Sequence, residues 1–115
     1  MVFFFQQPVP NHHNWIPDLS PAHPYGQLAF IFGIDDQPSR TPAALREVAV
    51  QKLSAFDPKV DFLCWCNAGD IFSIYLVIGI LASMGIPNVQ ILSWHKPISR
   101  EDKGRYVPVT VPLIA

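Results

Sequence analysis

Charge is what this chain has least of. Only 15% of its 115 residues are Asp, Glu, Lys or Arg, against about 25% in an ordinary globular domain. Half of the residues are hydrophobic, which excludes a disordered chain. So thin an ionic coat leaves apolar surface that a second copy or another partner is expected to cover. The net charge of −1 supplies no field for wrapping double-stranded nucleic acid, so that partner class is excluded.

Cysteine is equally scarce. Cys64 and Cys66 stand one residue apart, where strand geometry points both the same way and too close for an ordinary disulfide. CxC is not a zinc spacing, and His12, His13 and His23 have no cysteine near them to complete one. Buried, inert thiols are expected. Long hydrophobic runs are also missing. The longest, Ile71 to Ile86, has sixteen residues where a bilayer needs about 20, so it reads as a core helix and no membrane partner is expected. Met1 to Phe5 is apolar but has no basic flank and is too short for a signal peptide. A cytoplasmic protein is expected. There is no GxGxxG, no Walker pattern and no nucleophile elbow, and nothing calls for a cofactor.

What is present reads as one α/β domain over residues 1–115, with about two thirds of its surface available for burial. Residues 1–26 form a proline-rich arm, carrying Pro8, Pro10, Pro17, Pro21 and Pro24 and, at Val2 to Gln6, a candidate edge strand. Residues 27–115 form the core. Gln27 to Ile34 is an apolar run of strand length closed by the turn cluster Asp35-Asp36-Gln37-Pro38. Thr41-Pro42 reads as an N-cap with proline at the first helical position. Leu45, Val48, Ala49, Leu53 and Phe56 then recur at helical spacing up to Asp57-Pro58. Val60 to Cys66 is a second strand. Asp70 caps a second helix that stops at Gly85 with Pro87 behind it. Val89 to Trp94 is the third strand, and Tyr106 to Val111 the last, held to an edge by Pro108.

Strand, helix, strand, helix, strand predicts right-handed crossovers over a mostly parallel sheet: a small three-layer Rossmann-like domain. The last strand is expected antiparallel, because its connection lacks a crossover helix. The second helix is apolar on nearly every side, so its outer face needs a cover. The proline-rich arm could supply one; so could the same helix of a second subunit in a two-fold homodimer meeting through Phe72, Tyr75, Leu76 and Gly79.

Ligands of open parallel sheets bind beyond the carboxyl ends of the strands. That places Asp35, Asn67, Gly69, Asp70, Trp94, His95 and Lys96 as candidate ligand-binding residues. Asp70 would repel an anion and reads equally as a plain N-cap with Gly69 as a tight turn. Trp94, His95 and Lys96, with Arg100 and Arg105 behind them, suit the base and phosphate of a nucleotide, or else form a solvated loop. Asp35, Asp36 and Asp70 could hold magnesium through carboxylates and waters, although no metal-ligand motif is present.

FDPKVDFLCWCNAGD, ILSWHK and RYVPVTVPL, within residues 55–113, together resemble small accessory proteins of tailed bacteriophages. The GD turn, apolar helix and following strand are fainter in their similarity to the small dimeric CRISPR-associated ring nucleases. The first resemblance implies a Rossmann-like accessory protein in the host cytoplasm, with no catalytic residues to carry over. The reading is therefore a non-enzymatic, homodimeric phage accessory protein that binds a host protein or a nucleotide-type small molecule. A metal-assisted nucleotide phosphodiesterase using Asp70, His95 and Lys96, and a structural or assembly protein, are the alternatives.

Overall fold

The structure, a computed structural model, describes residues 1–10, 12–34, 41–66 and 71–113. Five strands form one sheet: β1 (Val2–Gln6), β2 (Leu28–Phe32), β3 (Phe62–Cys64), β4 (Asn88–His95) and β5 (Arg105–Pro112), in the spatial order β2-β1-β3-β4-β5. All neighbours are parallel except β4 and β5, which pair antiparallel from Asn88↔Pro112 to His95↔Arg105. The mostly parallel sheet with an antiparallel edge strand is thus as expected.

One expectation is corrected. Val2–Gln6, expected at an edge, lies inside the sheet between β2 and β3, and its five residues are all buried. VFFFQ can pair on both sides because all its N–H and C=O groups are available. The buried Asp61 carboxylate accepts from the Asp57 N–H at 2.8 Å and from the Met1 nitrogen at 2.9 Å, so the starts of β1 and β3 are held together.

Helix α1 (Pro42–Leu53) begins at the expected cap, with the Thr41 hydroxyl accepting from the Ala44 N–H at 3.2 Å. Helix α2 (Ile71–Ser83) ends in a Schellman motif: the Ile86 N–H donates to Leu81 O and the Gly85 N–H to Ala82 O. Gly85 has the left-handed φ of +80° that this motif requires. Its proposed N-cap, Asp70, lies outside the described residues.

Strand alternation splits the apolar residues into two clusters. Phe3, Phe5, Leu63 and Val89 face Leu45, Ala49 and Leu53 of α1 and Val77, Ile80 and Leu81 of α2. Val2, Phe4, Cys64 and Leu92 face the other way, against Leu19, Ala22 and Tyr25 of the arm. There the arm forms a short 3₁₀ helix, Ser20–Tyr25, tied down by the Tyr25 hydroxyl donating to Tyr106 O at 2.7 Å. The direction of the crossovers explains the split. The chain steps one way from β1 to β2 and the opposite way from β2 to β3 to β4. Connections of one hand that step in opposite directions must cross opposite faces of the sheet. The arm is therefore the third layer, standing where a larger fold has a helix.

That placement removes one of the two covers considered for α2. The arm lies across the sheet from the helix. Ile71, Phe72 and Tyr75 stay 60%, 63% and 68% exposed.

Candidate functional site

β1 and β3 are neighbours whose onward connections leave toward opposite faces. Their carboxyl ends therefore flank a crevice at the topological switch point, where open α/β sheets bind ligands. The ends of these two strands are joined by the Cys66 thiol donating to Gln6 O at 3.6 Å.

Beside this point lies a cavity of about 630 Å³, lined by Trp15, Pro17, Asp18 and Pro21 of the arm, Trp65 and Cys66 after β3, Trp94 and Lys96 at the end of β4, and Lys103 and Tyr106 at the start of β5. All three tryptophans of the chain meet here. Each is about half exposed: Trp15 57%, Trp65 49% and Trp94 41%. Indole rings left half in water around a concavity lose burial that a ligand's ring could restore. The Trp94 ring stands edge-on to Tyr106, with centroids 5.0 Å apart, and rests on Gly104, whose missing side chain makes room for it.

The electrostatics favour an anion. Two ammonium groups, Lys96 and Lys103, face one carboxylate, Asp18. Among the described residues neither lysine has an ion-pair partner. Asp18 accepts from the Ser20 N–H at 2.9 Å, and that hydrogen bond holds its carboxyl below the ordinary range, so it stays ionised in its turn. Burial pushes the Cys64 thiol up to about 12 and the Tyr106 hydroxyl higher than its ordinary value. Both are neutral at physiological pH, so Tyr106 brings no charge to the cavity it lines, and Cys64, behind it in the core, is a packing side chain rather than a nucleophile. Cys66 is buried too.

Around the end of β4 lies a second cavity of about 330 Å³, lined by Ser93, Trp94, His95, Lys96, Ile98, Asp102 and Arg105. The Asp102 carboxylate accepts from the N–H groups of Gly104 at 2.9 Å and Ile98 at 3.1 Å, which pin the loop and keep the acid ionised.

Of the residues chosen from sequence, Trp94, His95 and Lys96 are therefore gathered at cavities, and Arg105 with them; Arg100 lines neither. Asp35, Asn67, Gly69 and Asp70 lie outside the described residues. Among the described residues no group of three or more His, Cys, Asp or Glu side chains could hold a metal ion. The cavity's other two tryptophans, Trp15 and Trp65, were missed. Trp15 stands in the proline-rich arm, and Trp65 stands at the carboxyl end of the strand expected over Val60 to Cys66, whose observed extent is only Phe62–Cys64; that strand-end position was the available signal for Trp65.

Fold and site together define a small Rossmann-like α/β domain with an aromatic, basic cavity at the carboxyl end of its parallel strands. A family model described as phage Pam3 gp32-like protein matches residues 1–113, and the chain belongs to that family. The match supports the phage resemblance read from residues 55–113 and extends it through the arm and β1; it carries no sign of a ring nuclease. No curated protein and no solved structure matches the chain. No helix among the described residues is long and apolar enough to cross a membrane.

Proposed function

We propose that this phage protein is a homodimeric binding module that takes up a planar, anionic small molecule of nucleotide type at the switch-point cavity. The observation that carries the reading is the convergence of Trp15, Trp65 and Trp94 with Lys96 and Lys103 on one concavity. Indole faces stack on any base, and the two ammonium groups meet a phosphate. Stacking contributes about 1–3 kcal/mol per base, so Trp65→Ala, which removes a half-exposed ring, is expected to weaken binding about 5-fold to 150-fold. Titration of the full chain with AMP, followed by tryptophan fluorescence and calorimetry, measures it. Absence of a saturable signal with all four mononucleotides would sink the reading. Cleavage products from a cyclic or linear oligonucleotide incubated with magnesium would favour the phosphodiesterase alternative.

The homodimer is supported by α2. Ile71–Ser83 contains no ionised residue, so two copies can meet there without placing like charges together. Phe72, Tyr75 and Gly79 lie on its exposed side, flanked by the half-buried Leu76. A Cβ added at Gly79 would meet nothing within 4 Å. Glycine within a helix costs about 1 kcal/mol relative to alanine, and packing inside one subunit offers no reason for it here. Close approach of a second helix does. Gly79→Leu is expected to convert a sedimenting dimer to a folded monomer, while Gly79→Ala raises the thermal stability of the isolated subunit. A wild-type chain that sediments as a monomer at about 50 μM, well above the Kd of a micromolar dimer, contradicts the interface.

A further inference from the structure

The two cavities share a wall, and that wall consists of Trp94 and Lys96. Along β4 the side chains alternate. Leu92 belongs to the arm-side cluster and Ile91 packs against the helix-side cluster. Trp94 therefore sits on the arm face with Leu92 and Tyr106, and Ser93 and His95 sit on the helix face. The larger cavity opens on the first face and the smaller around the strand end toward the second, with Lys96 just past the end of β4, where both meet.

The smaller cavity differs in chemistry. It has an almost fully exposed apolar side chain, Ile98 at 93%, a hydroxyl from Ser93, the imidazole of His95 and the guanidinium of Arg105, set against the single carboxylate of Asp102. A second ring could lie on Ile98 beside Arg105, whose guanidinium plane stacks and donates. A ligand filling both cavities must pass the ammonium group of Lys96 as it turns over the strand end. A phosphate joining two nucleosides has its charge at that position.

Resting on the nucleotide reading of the larger cavity, we propose that the ligand is a dinucleotide. One base lies among the three tryptophans, the linking phosphodiester at Lys96, and the second nucleoside against Ile98, His95 and Arg105. A mononucleotide fills only the first part.

The test is a calorimetric titration of the full chain with AMP and with the linear dinucleotide ApA. ApA carries less negative charge than AMP, so electrostatics alone would make it the weaker ligand. The proposal expects ApA to bind about tenfold tighter or more, the gain from a second stacked base. Arg105→Ala should reduce the ratio of ApA to AMP affinity from about tenfold or more to near one. In wild-type protein the Ile98 methyl resonance should shift with ApA and not with AMP, a readout independent of any variant. Equal affinities for AMP and ApA, or an Ile98 signal that responds to both alike, would overturn the dinucleotide while leaving the mononucleotide site standing. Failure of both ligands to bind would overturn the two together.

Discussion

Replacing Phe4 by alanine is expected to lower the unfolding free energy by about 3–5 kcal/mol, the cost of removing a fully buried aromatic ring. Phe4 has no exposed surface. It lies in β1, with Phe30 of β2 on one side at Phe4↔Phe30 and Cys64 of β3 on the other. Its ring is 5.7 Å from that of Phe30, within the layer that the arm closes. Small domains are stable by about 5–15 kcal/mol in all, so the loss is a large share of the total. Urea unfolding monitored by circular dichroism measures it, and Val109→Ala on the exposed edge strand, at 45% exposure, serves as the control, with a change of about 0.5 kcal/mol or less. A Phe4→Ala loss no larger than the control would mean that β1 is not an interior strand. If β1 is interior, the N-terminal segment is part of the core. Its deletion should unfold the domain rather than trim it.

Gly104→Ala should both destabilise the protein and damage the site. Gly104 has φ +78°, where a side chain costs about 1–2 kcal/mol. A Cβ there would stand 2.6 Å from Trp94 Cζ2, 2.9 Å from Cη2 and 3.0 Å from His95 O. The indole must shift, and it is the wall common to both cavities. The expected result is a loss of about 2–3 kcal/mol, combining backbone strain with the displaced ring, together with weaker AMP binding and a changed near-ultraviolet spectrum from the Trp94–Tyr106 pair. Trp65→Ala separates the two effects. It should reduce binding with little change in stability, because Trp65 is half exposed. If Gly104→Ala left AMP affinity intact, Trp94 would not be part of the binding wall.

The Gly104 and Phe4 cases show how unevenly the molecule could be read in advance. One end of each helix was legible because its cause is local: the Thr41 hydroxyl reaches a backbone N–H three residues on, and Gly85 takes the left-handed turn that ends α2; α1 stops at Leu53, short of the Phe56 expected from the apolar spacing. Pro108 placed β5 at an edge for a similarly local reason, since it has no N–H to pair. VFFFQ announces a strand but not its neighbours. Nothing within five residues distinguishes an edge from an interior position. The packing of Gly104 under Trp94 was invisible because it depends on how a loop folds back over β4.

The site divides in the same way. Trp94, His95 and Lys96 were found because they follow directly on a strand whose carboxyl end must face any ligand. Trp65 joins them because β3 and β4 are parallel neighbours in the register Cys64↔Leu92, which brings their carboxyl ends together; Trp15 joins them only through the reversal of crossover direction, which sends the arm across the opposite face of the sheet from the helices.

The scarcity of charge, the alternation of strands and helices, their caps and the apolar character of α2 were written in the sequence, since each follows from residue chemistry and short-range spacing. Three matters were decided by tertiary structure: that β1 is interior, that the arm covers the sheet rather than α2, and that three distant tryptophans share one cavity. Each depends on the order of strands in the sheet. That order is set by the packing of whole elements, a contest between long-range contacts that no local pattern records.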